Sequence, residues 1–375
     1  MAGRTIRANG LLCAAHLALM LAAGPLRAAD EVHFGKGATF QAYGQLSPAW
    51  LSFDDGKDRK RVFADNDNSI SRLGFWVRQP VGDGEIRFNF ESALGFRSTN
   101  AVSQIFVPPV WDWQDSDIRK LELVWQTHRF GTFSAGQGNM ATDGVSTVDL
   151  SDTSVVSSVQ IIDTAGSFFL RSESGFLTPV AVASAFPNFD GGRRMRLRYD
   201  SPSFRGLVLS TSLGKQVLSQ VSDDMTSDIT VRYDRDGRYF QISAAGGYSW
   251  INRKTFDNNR TAIASASVIH KPSGLNLTVS SGTRDTTGSY RYVKLSYRAD
   301  ILRIGATTVS IDRYEATDMI TDGARSESYG LSFIQRLANP RIEAYLAMRS
   351  YAYEDLTPLR YRDARSVLIG VRWKF

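Results

Sequence analysis

Beyond its first thirty residues this sequence contains no cysteine, since the only one is Cys13. A chain without thiols there can be neither a cysteine enzyme nor a zinc–thiolate protein, and it holds no disulfide. Histidine is scarce, with four in the whole chain, and no G-x-S-x-G nucleophile motif is present. The motif DNDNS, residues 65–69, lacks the glycine and glutamate of an EF-hand. We therefore expect no enzyme activity, no cofactor and no metal site.

Long hydrophobic runs are also lacking. The one apolar stretch, residues 11–24, follows Arg4 and Arg7 and precedes two small residues, Ala28 and Ala29. This order is typical of a secretory signal peptide, so we predict a signal over 1–28 with cleavage after 28 or 29; an N-terminal anchor helix is the alternative. No later run is long enough for a transmembrane helix. If the protein lies in a membrane, a closed β-barrel must place it there.

No block of like charges interrupts the sequence. The formal net charge is +6, of which Arg4, Arg7 and Arg27 lie in the predicted signal, where there is no acid. The exported chain therefore carries about +3, and nothing in it indicates a nucleic-acid partner.

Alternation of apolar and polar residues recurs from end to end, and no helical period is evident. The ending SVLIGVRWKF is typical: Val367, Ile369 and Val371 share one face of a strand, while Arg372 and Lys374 share the other. We count sixteen such runs. They begin near residues 40, 69, 85, 119, 131, 193, 206, 228, 239, 261, 275, 290, 302, 327, 341 and 366.

The connectors between these runs alternate in length. Seven are short, at 81–84, 128–131, 201–206, 234–237, 271–274, 298–300 and 337–340. Eight are long, at 54–68, 97–118, 139–191, 216–226, 251–259, 281–289, 314–325 and 352–361. A soluble sandwich has no reason to sort its loops in this way, whereas an even-numbered membrane barrel has one tight rim and one elaborate rim. The sequence therefore predicts an all-β, sixteen-stranded antiparallel transmembrane barrel as one domain over 29–375, with both termini on the tight, periplasmic rim.

Basic side chains recur on one face of these strands. In RRMRLRYD, residues 193–200, the alternation separates Arg194, Arg196 and Arg198 from Met195 and Leu197. Placing an arginine in lipid costs about 2–4 kcal/mol at the membrane centre, so these three should face a wet lumen. The same reasoning turns inward the side chains of Arg72, Arg87 and Lys120.

The connector 139–191 is much the longest and is unusually apolar, as in GSFFL and GFLTPVAVASAF. Such a segment should be buried, and the lumen is the available place. Its charges are mainly acidic, and an acidic loop opposite a basic wall would set up a transverse field. We choose Asp149 and Asp152 as the constriction acids because they lie mid-way in the first half of the loop. A loop that caps the barrel or packs on a neighbour is the alternative.

Several stretches together resemble the general trimeric porins of Gram-negative outer membranes. They are SRLGFWVRQPVGDGEIRFNFESALGF, FGTFSAGQGN, RRMRLRYDSPSFRGL and VLIGVRWKF. The resemblance implies a sixteen-stranded barrel, a homotrimer, a third loop folded inside, and passive diffusion of small hydrophilic solutes and ions. It assigns Arg72, Arg87 and Lys120 to the basic wall, Asp149 and Asp152 to the loop acids, and Phe375 to the signal read by the outer-membrane assembly machinery. The chain departs from the family at Gln137, where a basic residue is usual.

The resemblance also implies contact with lipopolysaccharide or other lipid. The aromatic loop FVPPVWDW, within 97–118, would be either a subunit contact or a small core of its own. Two other functions remain open. One is a substrate-specific, anion-preferring channel that uses Arg194, Arg196 and Arg198 as a ladder, and the other is a structural barrel with a plugged lumen.

Overall fold

The computed structural model describes residues 31–35, 37–218, 224–253, 258–337 and 341–375. The predicted signal peptide, 1–28, and its cleavage position lie outside these residues. Within them the only helical segments are single turns, at Asp67–Ser69, Asp115–Asp117, Ile162–Ala165 and Val182–Ala185. In the described part of the chain, no helix has the length and apolar character needed to cross a membrane.

Strands make up most of the described residues. They are β1 Val32–Phe34, β2 Ala38–Leu46, β3 Pro48–Asp54, β4 Arg59–Asp65, β5 Arg72–Val81, β6 Gly84–Ala93, β7 Ile118–Thr127, β8 Gly131–Asn139, β9 Phe169–Arg171, β10 Leu177–Ala181, β11 Arg193–Asp200, β12 Leu207–Lys215, β13 Met225–Asp236, β14 Phe240–Asn252, β15 Asn259–His270, β16 Leu275–Arg284, β17 Gly288–Leu302, β18 Gly305–Thr317, β19 Arg325–Arg336, β20 Ile342–Glu354 and β21 Ala364–Lys374.

These strands form sixteen wall strands, two of which consist of two segments each, and the sixteen close into one antiparallel barrel. β2 and β3 form one wall strand, interrupted only at Ser47, and β4 and β5 form the next, interrupted by the turn Asp67–Ser69. Each following wall strand pairs with its predecessor, and β8 pairs across the long segment with β11. The last strand, β21, closes the circle by pairing with β3, as at Gly370↔Ala49, and with β2, at Gln45↔Lys374. The predicted sixteen-stranded antiparallel barrel is confirmed.

Each of the sixteen predicted runs corresponds to a wall strand, but three connectors were wrong. The predicted loop 54–68 contains β4, whose sequence RKRVFAD is charged enough to be mistaken for a loop. The predicted turn 298–300 lies inside β17, and the chain instead turns just before Gly305, whose φ of 136° favours glycine. The predicted long loop 281–289 shrinks to residues 285–287 between β16 and β17.

The two faces of the wall differ as the alternation predicts. On β7, Leu121 and Leu123 are 43% and 53% exposed, whereas Glu122 between them is buried. On β21, Ile369 is exposed and Leu368 is buried. An exposed apolar face is stable only against lipid, so we call this the outer face and the opposite one the inner face.

Candidate functional site: the long segment and the wall opposite

The segment 140–192, between β8 and β11, packs against the inner face of the wall. Its Phe168 stacks on Phe53 of β3 with ring centroids 4.2 Å apart. Its Phe186 contacts Tyr314 of β18 and Tyr351 of β20 at 5.7 and 5.6 Å. These rings are buried, which explains why the longest connector has so apolar a sequence.

One buried ammonium fastens the first half of this segment. The Lys294 Nζ atom, on β17, donates to Asp149 Oδ2 at 2.7 Å, to Thr153 Oγ1 at 2.9 Å and to the Ser157 carbonyl at 2.9 Å. Only 1% of the Lys294 side chain and 7% of the Asp149 side chain are exposed. Burial acts to raise the pKa of Asp149, but the Lys294 charge and the hydrogen bonds outweigh it, so the pKa is lowered. All three ammonium donors are therefore used in holding the segment.

A second acid of the segment, Asp152, is also paired with the wall. It lies 2.5 Å from Arg298 of β17 and 3.0 Å from Arg336 of β19. Its backbone has a φ of 65°, which is uncommon for a residue other than glycine. The chain therefore holds a strained turn where this carboxylate reaches two arginines.

A third attachment uses a buried acid of the wall. Asp312 on β18 accepts a hydrogen bond from Ser157 Oγ at 2.8 Å and pairs with Arg349 of β20 at 2.8 Å. Gly330 lies beside this pair, and a methyl group there would overlap both Asp312 and Arg349. The absence of a side chain at Gly330 thus makes room for the attachment.

In its second half the segment is joined to the long-loop rim. Arg171 pairs with Asp55 through two hydrogen bonds of 2.9 Å and with Asp58 at 2.8 Å. Arg362, just before β21, donates to the carbonyls of Ser172 and Glu173. The segment is therefore fixed to the wall at several separate points.

The part of the wall that includes β5, β6, β7 and β11 carries a different set of charges. Glu91 of β6 pairs with Arg72 at 3.4 Å and with Arg119 at 2.6 Å. Glu122 of β7 pairs with Arg196 of β11. Basic side chains outnumber the acids that join them, so this region is a basic wall.

Sequence alternation missed two of its arginines, Arg119 and Arg193. The β6–β7 register shifts between Glu91 and Ser92, which lets Arg119 turn inward to Glu91 although Leu121 on the same strand faces out. Arg193, the first residue of β11, acts electrostatically on Asp67, Asp143 and Asp163. A bulge and a strand end are the places where counting by twos fails.

Four carboxyl groups interact electrostatically with Arg193 or with one another. They are Asp67, in the turn before β5, and Asp143, Asp163 and Asp190, in the long segment. Burial, together with repulsion from Asp67 and Asp190, raises the pKa of Asp163 well above its usual range. Burial and repulsion from Asp143 raise the pKa of Asp190 to about 6. Asp190 also accepts the backbone N–H groups of Gly144 and Ser146 at 2.8 Å, which joins the two ends of the segment.

The structure separates the predicted site residues into groups. Arg72, Lys120 and Arg196 meet acids of the basic wall. Arg87 pairs with Glu85 at 3.0 Å, and Arg198 with Asp200 at 2.7 Å. Among the described residues Arg194 donates only to the neighbouring Arg193 carbonyl. Asp149 and Asp152 are in ion pairs with the wall, and Phe375 exchanges backbone hydrogen bonds with Gly44 at 3.0 and 2.8 Å.

Comparison with known families identifies the barrel. The model of the family described as Gram-negative porin matches residues 14–356. The chain belongs to the Gram-negative porin family. It is an outer-membrane channel for the diffusion of solutes. A search of the curated proteins found no match to this porin.

Solved structures share its fold at low sequence identity. The anion-selective porin from Comamonas acidovorans is 14% identical, with a TM-score of 0.60 over 90% of this chain and 100% of that one. The Pseudomonas putida OprB structure at high pH is 9% identical, with a TM-score of 0.62 over 90% of this chain and 94% of that one. Salmonella typhi OmpF in complex with daunomycin is 12% identical, with a TM-score of 0.58 over 92% of this chain and all of that one.

Proposed function

We propose that this porin is a general diffusion pore in which the segment 140–192 folds into the lumen and narrows it. Solutes would pass between the carboxyl groups of Asp67, Asp143, Asp163 and Asp190 and the arginines of the basic wall. The observation that carries this proposal is that the segment packs on one part of the inner face and leaves the basic wall opposite it. A field between opposed charges favours hydrated, dipolar solutes over apolar ones.

In this proposal, Asp149 and Asp152 anchor the segment and do not line the solute path. Lys294, Arg298 and Arg336 already occupy their carboxylates. Of the arginines at 194, 196 and 198, the last two are paired with Glu122 and Asp200. Arg72, Arg119, Arg193 and Arg194 would then supply most of the positive field, with Lys120 and Arg87 at its edges.

A second function, preference for anions, is supported by one specific observation. The Nε atoms of Arg193 and Arg194 are buried and have no hydrogen-bond partner among the described residues. Guanidinium groups with spare donors suit carboxylate or phosphate solutes. Passage would remain passive, because the proposed path needs solute binding and release and no covalent chemistry.

We further propose that the protein assembles as a homotrimer, as the general porins do, with both termini on the periplasmic rim. Phe375 would present the last strand to the outer-membrane assembly machinery. Lipopolysaccharide or other lipid would surround the exposed apolar face.

Single-channel recording in a planar bilayer, with reversal potentials under a salt gradient, tests these proposals. Steps in groups of three with weak ion preference would support the general trimeric pore. Saturable conductance with strong anion preference would favour the specific channel, and silence from correctly folded barrels would favour a plugged lumen. Comparing Arg193→Gln with Asp149→Asn separates the two roles, because the first should shift the reversal potential and the second should mainly add closing noise.

A further inference from the structure

Aromatic and basic side chains follow one another along the inner face of β2, β5 and β6, from the basic wall toward the tight rim. Alternate residues of a strand share a face and lie about 6.6 Å apart. On β5 the inward positions include Arg72, Trp76 and Arg78. The pairing register adds two neighbours, Tyr43 of β2 between the first two and Arg87 of β6 beside the last. We call these five residues the aromatic stripe.

The first ring of the stripe, Tyr43, lies over β5. A methyl group at Gly74 would come within 2.6 Å of Tyr43 Cζ, so the missing side chain there makes room for the phenol. The hydroxyl group donates to Asn89 Oδ1 and to Glu91 Oε2, each at 3.1 Å. The side chain is partly exposed, so part of this fixed ring remains open to the lumen.

The second ring, Trp76, lies one inward position nearer the tight rim. Its side chain is partly exposed, and Arg78 Cζ lies 5.6 Å from the ring centroid. A guanidinium at this distance is attracted by the quadrupole of the indole. Arg78 also donates to Gln41 Oε1 at 2.9 Å, which holds the charge beside the ring.

The stripe ends in two like charges. Arg78 and Arg87 are direct cross-strand partners, an arrangement that is unfavourable unless negative charge lies near. Arg78 pairs with Glu31 at 3.2 Å, and these side chains are 23% and 42% exposed. Arg87 pairs with Glu85 at 3.0 Å, and these side chains are 25% and 33% exposed. Partly exposed ion pairs contribute little stability, so a solute carboxylate can replace either acid.

We propose that the aromatic stripe binds planar aromatic carboxylates as they cross the lumen. The flat ring of such a solute stacks on Tyr43 and Trp76. Its carboxylate pairs through two hydrogen bonds with Arg72 at one end of the stripe, or with Arg78 or Arg87 at the other. The inference deepens the proposed diffusion pore and rests on its wet lumen, but it does not depend on the acids of the long segment.

Ion-current recording in a planar bilayer tests the proposal with two probes, benzoate and cyclohexanecarboxylate, which have the same charge but differ in the flat ring. Each is titrated against wild type, Trp76→Leu and Trp76→Phe, and its dissociation constant is read from the block of the current. Tyr43→Leu serves if Trp76→Leu folds poorly. Trp125→Leu is the control variant, because Trp125 of β7 is 46% exposed on the outer face. Saturation-transfer NMR of the protein in detergent measures the same two probes without requiring conductance.

We expect wild type to bind benzoate about three- to tenfold more tightly than cyclohexanecarboxylate, which is the range of an aromatic pair. Trp76→Leu should abolish most of this difference, Trp76→Phe should keep part of it, and Trp125→Leu should behave as wild type does. Equal binding of the two probes by wild type, or an unchanged difference in Trp76→Leu, would overturn the proposal. Arg193→Gln should leave the difference between the probes in place whatever it does to the reversal potential, so failure of the stripe and failure of the proposed constriction are distinguishable.

Discussion

Lys294→Met should release the first half of the long segment while leaving the barrel intact. The wild-type ammonium makes three short contacts to the segment, and the partner Asp149 is almost fully buried. Breaking a buried ion pair by removing one partner costs about 3–5 kcal/mol, since the other charge stays buried and unpaired. The wall does not share this cost, because its strands are held by their own hydrogen-bond ladders.

A loss of about 3 kcal/mol should make local opening of residues 149–157 roughly a hundredfold more frequent. Single-channel traces should then show brief closures and a broader spread of conductance. Unfolding of the barrel on heating, followed by gel mobility, should change little. The double variant Lys294→Met/Asp149→Asn should return toward wild-type noise, because neither partner is then left charged and buried.

Lys120→Met is the matched control. Lys120 is also a lumen-facing lysine, but its Nζ is 3.9 Å from Glu122 and its side chain is 26% exposed. It should alter ion preference without adding noise. Unchanged noise in Lys294→Met, or equal noise in both variants, would refute the reasoning that Lys294 fastens the segment.

The pH dependence of this attachment has a definite sign. The pKa of Asp149 is lowered in the folded protein, so the pair contributes stability that is complete above the unfolded pKa of about 3.9 and is lost as the pH falls through the lower folded value. Noise from this source should therefore be absent at pH 5 and emerge only in strong acid.

Three further outcomes are expected. Arg193→Gln should shift the reversal potential toward cation preference, and an unchanged potential would place Arg193 off the solute path. In wild type, anion preference should rise as the pH falls through about 6, because the pKa of Asp190 is raised to about 6. Protonation of Asp190 removes negative charge while the arginines stay charged. A reversal potential that does not change between pH 7.5 and 5 would contradict this. Gly330→Ala should lower the free energy of unfolding by about 1–3 kcal/mol, because the methyl group displaces the Asp312–Arg349 pair. Chemical denaturation would measure this difference. Gly246→Ala is the control variant, because the added methyl group there meets open space.

The barrel could be predicted from the sequence because lipid on one face of each strand and the wet lumen on the other force apolar and polar side chains to alternate. Leu121, Glu122 and Leu123 show it directly, and a wall residue in the wrong phase would place a charge in lipid. The alternation gives no information where strands bulge or end. Arg119 and Arg193 were missed for that reason, and β4 was missed because its charged outer face resembles a loop.

The location of the acids could not be read from the sequence in the same way. Asp149, Asp152 and Asp163 belong to one segment with no repeating pattern, and only the partners of each acid distinguish an anchor from a free charge. Lys294 and Asp312, which decide this, are over a hundred residues further along the chain. Composition alone indicated that an acidic segment faces a basic wall, but it could not indicate which acids are already neutralised.

Apart from Asp190, which also joins the two ends of the segment, the anchors and the free charges are different residues, and this separation has a consequence for the pore. Asp149 and Asp152 hold the segment through buried or paired contacts, so replacing them changes its position and mobility. Arg193 has no ion pair among the described residues, and its Nε atom has no hydrogen-bond partner there, so replacing it alters the field with little effect on position. Because surface charges can change without disturbing the buried ion pairs, selectivity can vary at these positions while the narrow point stays fixed. A pore in which the same acids served both purposes could not change its ion preference without loosening the segment that sets its width.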